Sequence, residues 1–164
     1  MIRVRRIQLG EIELYKQIRL ASLKDAPYAF ETTYESAVQR SDETWRERVE
    51  SGARGNDGAT FLVFSDDRPI GIAALFRSQD QIDMGELMQV WVSPDYRGSK
   101  VAWDLMDAIF SWAKEHNFRR IIAGVTNVNP RALTFYIKYG FSRMAEPAED
   151  ASGSVYLIKE VSYE

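Results

Sequence analysis

Hydrophobic and polar side chains follow the periods of strands and helices along the first part of the chain. Residues 2–8 alternate apolar and charged side chains, which is the period of a half-buried strand. Residues 11–24 carry apolar side chains at helical spacing, and Pro27 follows shortly beyond them. Residues 41–52 begin at a Ser-Asp pair that favours a helix start, and they end at a glycine. The pattern therefore predicts one strand followed by two helices.

The middle of the chain has the pattern of antiparallel strands. Residues 60–64 and 70–76 are apolar runs separated by a turn sequence at residues 66–69, and this arrangement predicts a hairpin. Residues 84–92 form a further strand segment, which ends at Ser93-Pro94.

The last third of the chain alternates helices and strands. After Gly98, apolar residues at helical spacing predict a long helix that ends near Asn117. The predicted elements beyond it are a buried strand at residues 121–125, a helix from Pro130 to Gly140, and strands at residues 141–144 and 154–161. A strand–helix–strand unit requires a right-handed crossover with locally parallel strands, so the whole pattern predicts a mixed α/β fold.

Composition is that of an ordinary globular protein and argues against several classes. The 164 residues fit one domain, over residues 1–164, with 45% hydrophobic and 27% charged residues. With no cysteine and a single histidine, the chain lacks the ligand clusters of metal sites. The net charge of −3 argues against a nucleic-acid partner, because phosphate binding needs a basic surface. The charged start and the lack of a long apolar run predict a cytoplasmic protein without signal peptide or membrane span.

The segment of greatest chemical interest is residues 86–102, an apolar strand followed by a tight turn, a loop of small residues and a helix. Backbone N–H groups in the first turn of a helix lack internal partners, and the helix dipole adds a partial positive charge. Such a start suits an anion, in particular a pyrophosphate. Many helices begin after Gly-Ser without binding an anion, so this segment alone leaves both interpretations open.

Two spaced motifs resemble those of a known family. The run Pro94-x-x-Arg97-Gly98-x-x-Val101-Ala102-x-x-Leu105 resembles the acyl-CoA signature of the GNAT superfamily of N-acetyltransferases. A second run matches the family pattern downstream: Asn129-x-x-Ala132-x-x-Phe135-Tyr136-x-x-Tyr139-Gly140-Phe141. Residues 19–30 also resemble a subgroup of these enzymes. The likeness covers nearly the whole chain, and it is to the small bacterial, RimI-like type.

This resemblance implies an acetyl-CoA-dependent N-acetyltransferase that needs no metal and uses an amine as acceptor. The family fold is a mixed, mostly antiparallel central sheet flanked by about four helices, with a splayed parallel strand pair at the acyl-CoA site. By position in the motifs, the implied cofactor-binding residues are Val90, Trp91, Val92, Arg97, Gly98, Ser99, Lys100, Val101, Ala102, Asn129 and Tyr136.

The resemblance also implies two catalytic residues. Tyr136 matches the family's general acid, and a phenol with a pKa of about 10 keeps its proton at neutral pH and can pass it to a thiolate. Glu86 matches a strand glutamate that takes the proton of the amine in some members. Each has a structural alternative, Tyr136 as core filling and Glu86 as an exposed charge at a strand end. His116, the only histidine, is expected to cap a helix end rather than to act as a base.

Two motif positions carry an open alternative. Lys100 stands where the family usually has its first glycine, and we expect it either to contact phosphate or to point to solvent. If it crowded the site, a non-catalytic acyl-CoA-binding module would be favoured over an enzyme. Asn129 matches a position that hydrogen-bonds the pantetheine arm, and it can also cap the helix that starts at Pro130.

The acceptor is not identified by these motifs and is either a small molecule or a protein amine. We expect its pocket beside the first two helices, the loop at residues 25–30 and the final hairpin. Acidic side chains could attract a cationic amine, although isolated charges are usually solvated: Glu31, Glu35 and Asp83. The apolar content is compatible with a homodimer, which nothing in the sequence proves.

Overall fold

The structure is a computed structural model and describes residues 1–30, 32–126, 129–144 and 153–163. The strands within these ranges are β1 Ile2–Arg6, β2 Gly58–Ser65, β3 Arg68–Arg77, β4 Met84–Val92, β5 Arg120–Thr126, β6 Ser142–Arg143 and β7 Ser154–Glu160. The α-helices are α1 Ile12–Asp25, α2 Tyr34–Val38, α3 Asp42–Ala53, α4 Val101–Glu115 and α5 Pro130–Tyr139.

The described strands form one sheet in the order β1-β2-β3-β4-β5-β7-β6. Every neighbouring pair is antiparallel except β4 and β5, which are parallel. The connection between these two strands runs through α4, as a parallel pair requires a long crossover. The mixed, mostly antiparallel sheet implied by the family resemblance is thereby confirmed.

Helices pack on both faces of the sheet, and each face has its own core. Along β2, Phe61 and Val63 belong to the core that includes α4, whereas Leu62 and Phe64 belong to the core that includes α1 and α3. This division follows from the alternation of side chains along a strand. Because both faces are covered, the central strands are apolar in continuous runs rather than in alternation.

The predicted elements are confirmed, with boundaries that differ by a few residues. The long helix begins at Val101 and ends at Glu115, and the strand expected at residues 141–144 is limited to Ser142–Arg143. The prediction missed α2, which is five residues long and is capped by a 3.1 Å hydrogen bond from the Ser36 N–H to Thr33 Oγ1. A helix of this length is too short to show a hydrophobic period.

Among the helices of the described ranges, none is long and apolar enough to cross a bilayer.

Candidate active site

The two parallel strands at the centre of the sheet separate along their length. β4 and β5 pair from Met84–Arg120 to Leu87–Ala123, and the described residues contain no further pair between them. Met88, Trp91 and Val92 remain paired with β3 on the other side of β4. Beyond Leu87, β4 therefore presents main-chain groups along an edge that β5 does not cover. The splayed parallel pair expected from the family resemblance is present at this point.

A β-bulge in β4 accompanies the separation. Gln89 and Val90 lie opposite the single residue Ala73 of β3, so β4 contains one extra residue. Gln89 accommodates it with a φ of 61°, a left-handed conformation that is uncommon for a residue with a side chain. The Tyr15 hydroxyl of α1 donates a 2.8 Å hydrogen bond to Gln89 Oε1. This hydrogen bond links the bulge of β4 to α1.

A tight loop leads from β4 to the first turn of α4. It contains a 3₁₀ turn over Pro94–Tyr96 and then Gly98, whose φ of 80° favours glycine. The Asp104 N–H donates to the Lys100 carbonyl at 3.0 Å, so the amides of residues 101–103 precede the helical ladder. The Val101 N–H donates to Ser99 Oγ at 3.4 Å, whereas those of residues 102 and 103 have no partner among the described residues. These two amides and the helix dipole make the helix start a candidate anion site.

Lys100 does not obstruct this helix start. Its φ is −76°, so the position does not require the conformational freedom of glycine. Its side chain is 80% exposed, and its Nζ lies 3.4 Å from Asp104 Oδ1. Of the two placements expected from the sequence, the structure shows the one in solvent.

Arg97 is tied to the protein through its side chain. Its Nε donates to the Val92 carbonyl at 3.1 Å, and its Nη2 forms an ion pair with Asp25 at the end of α1. The same carboxylate accepts a 3.0 Å hydrogen bond from Trp91 Nε1. Burial opposes the shift, but the hydrogen bonds from Trp91 and Arg97 lower the pKa of Asp25 below its ordinary value. The Arg97 guanidinium therefore connects the loop after β4 to the end of β4 and to α1.

A cavity of about 610 Å³, the donor cavity, extends along the β4 edge to the start of α4. Most of the predicted cofactor-binding residues line it: Val90, Trp91, Val92, Arg97, Gly98, Ser99, Ala102, Asn129 and Tyr136. Lys100 and Val101 do not line it, and the Val101 side chain is buried in the core. Arg131 and Lys138, which sequence reasoning did not single out, add positive charge to its wall.

Asn129 caps α5. Its Oδ1 accepts a hydrogen bond from the Ala132 N–H at 3.3 Å, so the structural role foreseen for it is present. An asparagine side chain also carries an NH₂ group, which a cap of this kind does not use. Since Asn129 lines the donor cavity, that group is a candidate hydrogen-bond donor to a ligand.

Tyr136 lies in α5 and lines the donor cavity, although it is only 7% exposed. Its ring packs edge-on against Phe135 and Phe141, with centroid separations of 5.5 and 5.3 Å. Burial raises the pKa of its phenol well above the ordinary value, so the hydroxyl keeps its proton throughout the physiological range. Tyr136 is thus part of the core and part of the cavity wall at once.

A second cavity of about 450 Å³, the acceptor cavity, adjoins the first. Its walls come from β4, β5, β7 and the helical segments near the amino terminus. The two cavities share the lining residues Ala29, Phe30, Val90, Asn129, Ala132 and Tyr136. Two ligands that occupied the two cavities would therefore meet at the bulge of β4 and at Tyr136.

Glu86 and His116 lie in different surroundings. Glu86 has an exposed side chain on the wall of the acceptor cavity, on β4 and opposite Ile122 of β5. His116 caps the carboxyl end of α4, where its ring stacks on Trp112 at 4.2 Å and its Nδ1 lies 2.8 Å from the Trp112 carbonyl oxygen. The capping role predicted for His116 is confirmed, and it lines neither cavity.

Sequence reasoning missed the basic side chains of the acceptor cavity. Arg19 and Arg48 both line it, and Arg19 is only 5% exposed. A signal for Arg19 was present, because it lies four residues from both Tyr15 and Leu23 on the buried face of α1. Arginine is rarely buried unless it is paired, so an arginine on the apolar face of a helix is a candidate functional residue. Arg48 gives no such signal, since an exposed arginine on a helix is ordinary.

Two of the three acidic residues considered for the acceptor can be compared with these walls. Glu35 and Asp83 line neither cavity, and Glu31 lies outside the described residues. Within the part of the chain that the structure describes, no group of three or more His, Asp or Glu side chains is placed to hold a metal ion.

Comparison with known proteins agrees with this geometry. The model of the acetyltransferase (GNAT) family matches residues 19–141, which is most of the chain. Uncharacterized N-acetyltransferases of Mycobacterium bovis and Mycobacterium tuberculosis are each 37% identical to the chain over 76 residues. That alignment covers 46% of this chain and 47% of each relative, so the chain spans about half the length of these relatives.

Solved structures of low sequence identity share the fold. The GNAT acetyltransferase of Streptococcus pneumoniae has a TM-score of 0.80 at 18% identity, over 99% of this chain and 100% of that one. The GNAT domain of S. lividans PAT has a TM-score of 0.78 at 20% identity, over 97% and 90%. The PaiA N-acetyltransferase of Thermoplasma acidophilum, solved in complex with coenzyme A, has a TM-score of 0.78 at 21% identity, over 98% and 99%. The family model and the shared fold lead to one conclusion: the chain belongs to the acetyltransferase (GNAT) family.

Proposed function

We propose that the protein transfers the acetyl group of acetyl-CoA to the amine of an acceptor. Membership of the family supports the reaction, and the Thermoplasma acidophilum protein of the same fold was solved with coenzyme A. The observation that carries the proposal is the junction of two cavities at Val90 and Tyr136. One cavity would hold the acyl donor and the other the acceptor.

The donor cavity fits the coenzyme in four respects. The amides of residues 102 and 103 at the start of α4 suit a diphosphate, and Arg131 and Lys138 add positive charge to the wall. The uncovered edge of β4 offers main-chain groups to an extended pantetheine arm, as a sheet edge does to an added strand. A backbone N–H near Val90 would then polarise the thioester carbonyl and stabilise the oxyanion. The NH₂ group of Asn129 is a further donor to the arm.

Acyl transfer to an amine requires two proton movements. The amine nitrogen attacks the thioester carbon, a C–N bond forms and the C–S bond breaks. The amine loses one proton and the leaving thiolate gains one. We assign removal of the amine proton to Glu86, directly or through water, because this carboxylate lies on the wall of the acceptor cavity.

Tyr136 is assigned to the leaving thiolate. Since burial raises the pKa of this phenol, its hydroxyl is protonated whenever a substrate binds. A thiol has an ordinary pKa near 8.5, which lies below that of the Tyr136 phenol, so complete proton transfer from Tyr136 is unfavourable even to the fully formed thiolate. We therefore propose that Tyr136 donates a hydrogen bond that stabilises the sulfur as the C–S bond breaks, and that the released thiolate takes its proton from solvent.

The alternative, a non-catalytic acyl-CoA-binding module, depended on crowding by Lys100. Because that side chain is exposed and pairs with Asp104, it gives the alternative no support. The two functions are separated by incubating the protein with acetyl-CoA and a panel of amines while measuring free thiol and the mass of the products. Calorimetry with acetyl-CoA, coenzyme A and ATP also tests for a mononucleotide-binding protein. Thiol release without any acetylated amine, or binding of ATP alone, would contradict the proposal.

Replacement of Tyr136 by phenylalanine tests the junction. We expect Tyr136→Phe to lower kcat by about 100-fold, because general acid catalysis contributes roughly this much or more. The dissociation constant of acetyl-CoA should stay unchanged, since the ring and its packing remain. Tyr34→Phe is the matched control, because Tyr34 packs against the other core and lines neither cavity. Full activity in Tyr136→Phe would show that another group serves the thiolate.

Several expectations from the sequence remain proposals. We propose one domain over residues 1–164, a cytoplasmic location, a RimI-like subtype and a homodimer. No nucleic-acid, membrane or metal partner is proposed. Analytical ultracentrifugation of the purified chain tests the homodimer directly, because a monomeric mass at micromolar concentration would exclude a stable one.

A further inference from the structure

Arg19 is a buried cation whose hydrogen-bonding capacity is only partly used. The residue is 5% exposed, and its Nη1 donates a 3.1 Å hydrogen bond to Ser22 Oγ. Its Nε is buried and has no hydrogen-bond partner among the described residues. A guanidinium has five N–H donors, and a buried donor without a partner is costly. The described residues therefore leave part of the hydrogen-bonding capacity of this buried cation unused.

The groups around Arg19 add positive charge rather than cancel it. Its guanidinium lies over the Phe30 ring at 4.8 Å, a contact that favours a cation but does not neutralise it. Burial lowers the pKa of Arg19, Tyr15 opposes this shift, and the charges of Arg40 and Arg48 lower the pKa further. Among the residues that the structure describes, no aspartate or glutamate forms an ion pair with any of these three arginines.

Two of these three arginines reach the wall of the acceptor cavity. Arg19, Phe30 and Arg48 line the cavity together with Glu86. The cavity therefore has a cationic region and a separate carboxylate, and it reaches Tyr136 and the bulge of β4. A ligand bound here would meet an anion-binding group and the reaction centre at the same time.

We propose that the acceptor amine carries an anionic group, a carboxylate or a phosphate, which binds to Arg19 with support from Arg48. The inference rests on the proposed function and names the class of its acceptor. A planar guanidinium matches both oxyanions in a bidentate geometry. The anion would give the Arg19 guanidinium the charge partner that no described aspartate or glutamate supplies, and the amine of the same molecule would point toward Val90 and Tyr136.

The test compares amines that differ only in the anionic group. Suitable probes are α- and ω-amino acids, their neutral carboxamides and the matching aminophosphonates, each with acetyl-CoA as donor. We expect the wild-type protein to prefer the anionic member of a pair by about 100-fold in kcat/KM, because a buried charge pair is worth this much or more. A preference for the carboxylate or for the phosphonate distinguishes the two sources of the anion.

Substitution of the arginines ties the preference to this site. In Arg19→Gln the preference should fall to about threefold or less, because the activity on the anionic probe falls far more than the activity on the carboxamide. Arg48→Gln, at an exposed position, should lower the preference by a smaller factor, and it keeps the test valid if Arg19→Gln does not fold. Arg46→Gln is the matched control, because this exposed arginine on the same helix as Arg48 lines neither cavity.

The outcomes separate this inference from the proposed function. If the wild type acetylates neutral and anionic amines equally, or if Arg19→Gln keeps the full preference, the inference is wrong while the acetyltransferase stands. If no amine of either kind is acetylated although acetyl-CoA binds, the proposed function fails instead. Calorimetric titration of acetyl-CoA into each variant shows whether the donor cavity is intact.

Discussion

The donor and acceptor cavities share six lining residues and differ in the rest of their walls. The donor cavity includes one nearly continuous segment, within residues 90–103, that runs from the β4 edge through the turn at Gly98 to the start of α4 and offers main-chain groups. The charged side chains of the acceptor cavity come from elements far apart in the sequence, α1, α3 and β4. Main-chain groups keep their positions when a side chain changes, whereas a set of side chains changes with each substitution. A local motif can therefore indicate the donor cavity, and no local motif indicates the acceptor cavity.

The largest expected effect is a loss of acetyl-CoA affinity from a substitution in the donor cavity. Ala102 lies in the first turn of α4 and lines that cavity, so Ala102→Asp puts a negative charge where the diphosphate is proposed to bind. We expect the dissociation constant of acetyl-CoA to rise about 100-fold, because like charges in a binding site cost several kcal/mol. The free energy of unfolding should fall somewhat, because Ala102 packs against the hydrophobic core, and the favourable place of an acidic residue in a first turn offsets only part of this loss.

Ala102→Asn is the control for this prediction. It has nearly the same shape as the aspartate and no charge, so it should weaken acetyl-CoA binding far less. Titration calorimetry and chemical denaturation of both variants give the two quantities. If the two variants bound acetyl-CoA equally, the diphosphate would not lie at this helix start.

A smaller effect is expected from the turn before α4. Gly98 has a φ of 80° and open space at the position that a Cβ atom would occupy, so Gly98→Ala introduces conformational strain without a clash. We expect a loss of about 1 kcal/mol in the free energy of unfolding, because a left-handed conformation costs an L-residue about this much. Since relaxation of the strain moves the loop, acetyl-CoA affinity should fall about fivefold.

Gly55→Ala separates strain from binding. Gly55 has a φ of 81°, equally open surroundings and no place in either cavity. Its alanine variant should lose the same stability and keep the affinity for acetyl-CoA. Equal affinities in the two variants would mean that the conformation of Gly98 does not matter to the donor cavity.

The contrast between the cavities also explains what could be predicted from the sequence. The loop at residues 93–98 and the stop at Gly140 are local features, with proline and glycine at positions that fix the backbone, so the motifs located them. The left-handed Gln89 has no local signal, because its conformation depends on the pairing with β3 and on the hydrogen bond from Tyr15. The bulge depends on these tertiary contacts, so the local sequence could not predict it.

Arg19 shows the same limit for the acceptor cavity. Its place on the buried face of α1 can be recognised from the helical period, but the approach of Phe30 and Arg48 cannot. Those contacts join segments whose distance in the sequence carries no information about their distance in space. Helix α2 was missed for a different reason, since five residues are too few for a period.

The smallest expected effect concerns the link between the two regions. Asp25 ends α1, the helix that carries Arg19, and it binds Trp91 and Arg97 of the donor side. In Asp25→Asn the side-chain oxygen can still accept from Trp91, while the charge opposite Arg97 is lost. With 28% of the Asp25 side chain exposed, we expect a loss of about 1 kcal/mol in the free energy of unfolding at pH 7.

The pH dependence identifies the carboxylate as the cause of that loss. The fold lowers the pKa of Asp25, so its stabilisation is present above the ordinary carboxyl pKa near 3.9 and is lost as the pH falls through the lower, folded-state value. The difference in unfolding free energy between wild type and Asp25→Asn should therefore shrink as the pH is lowered from about 5 to about 3, as measured by urea denaturation. Asp66→Asn, at an 83% exposed position, is the control and should change stability little at either pH. If the difference for Asp25→Asn stayed constant over this range, packing would support this contact. The charge pair that joins α1 to the loop after β4 would then contribute nothing to it.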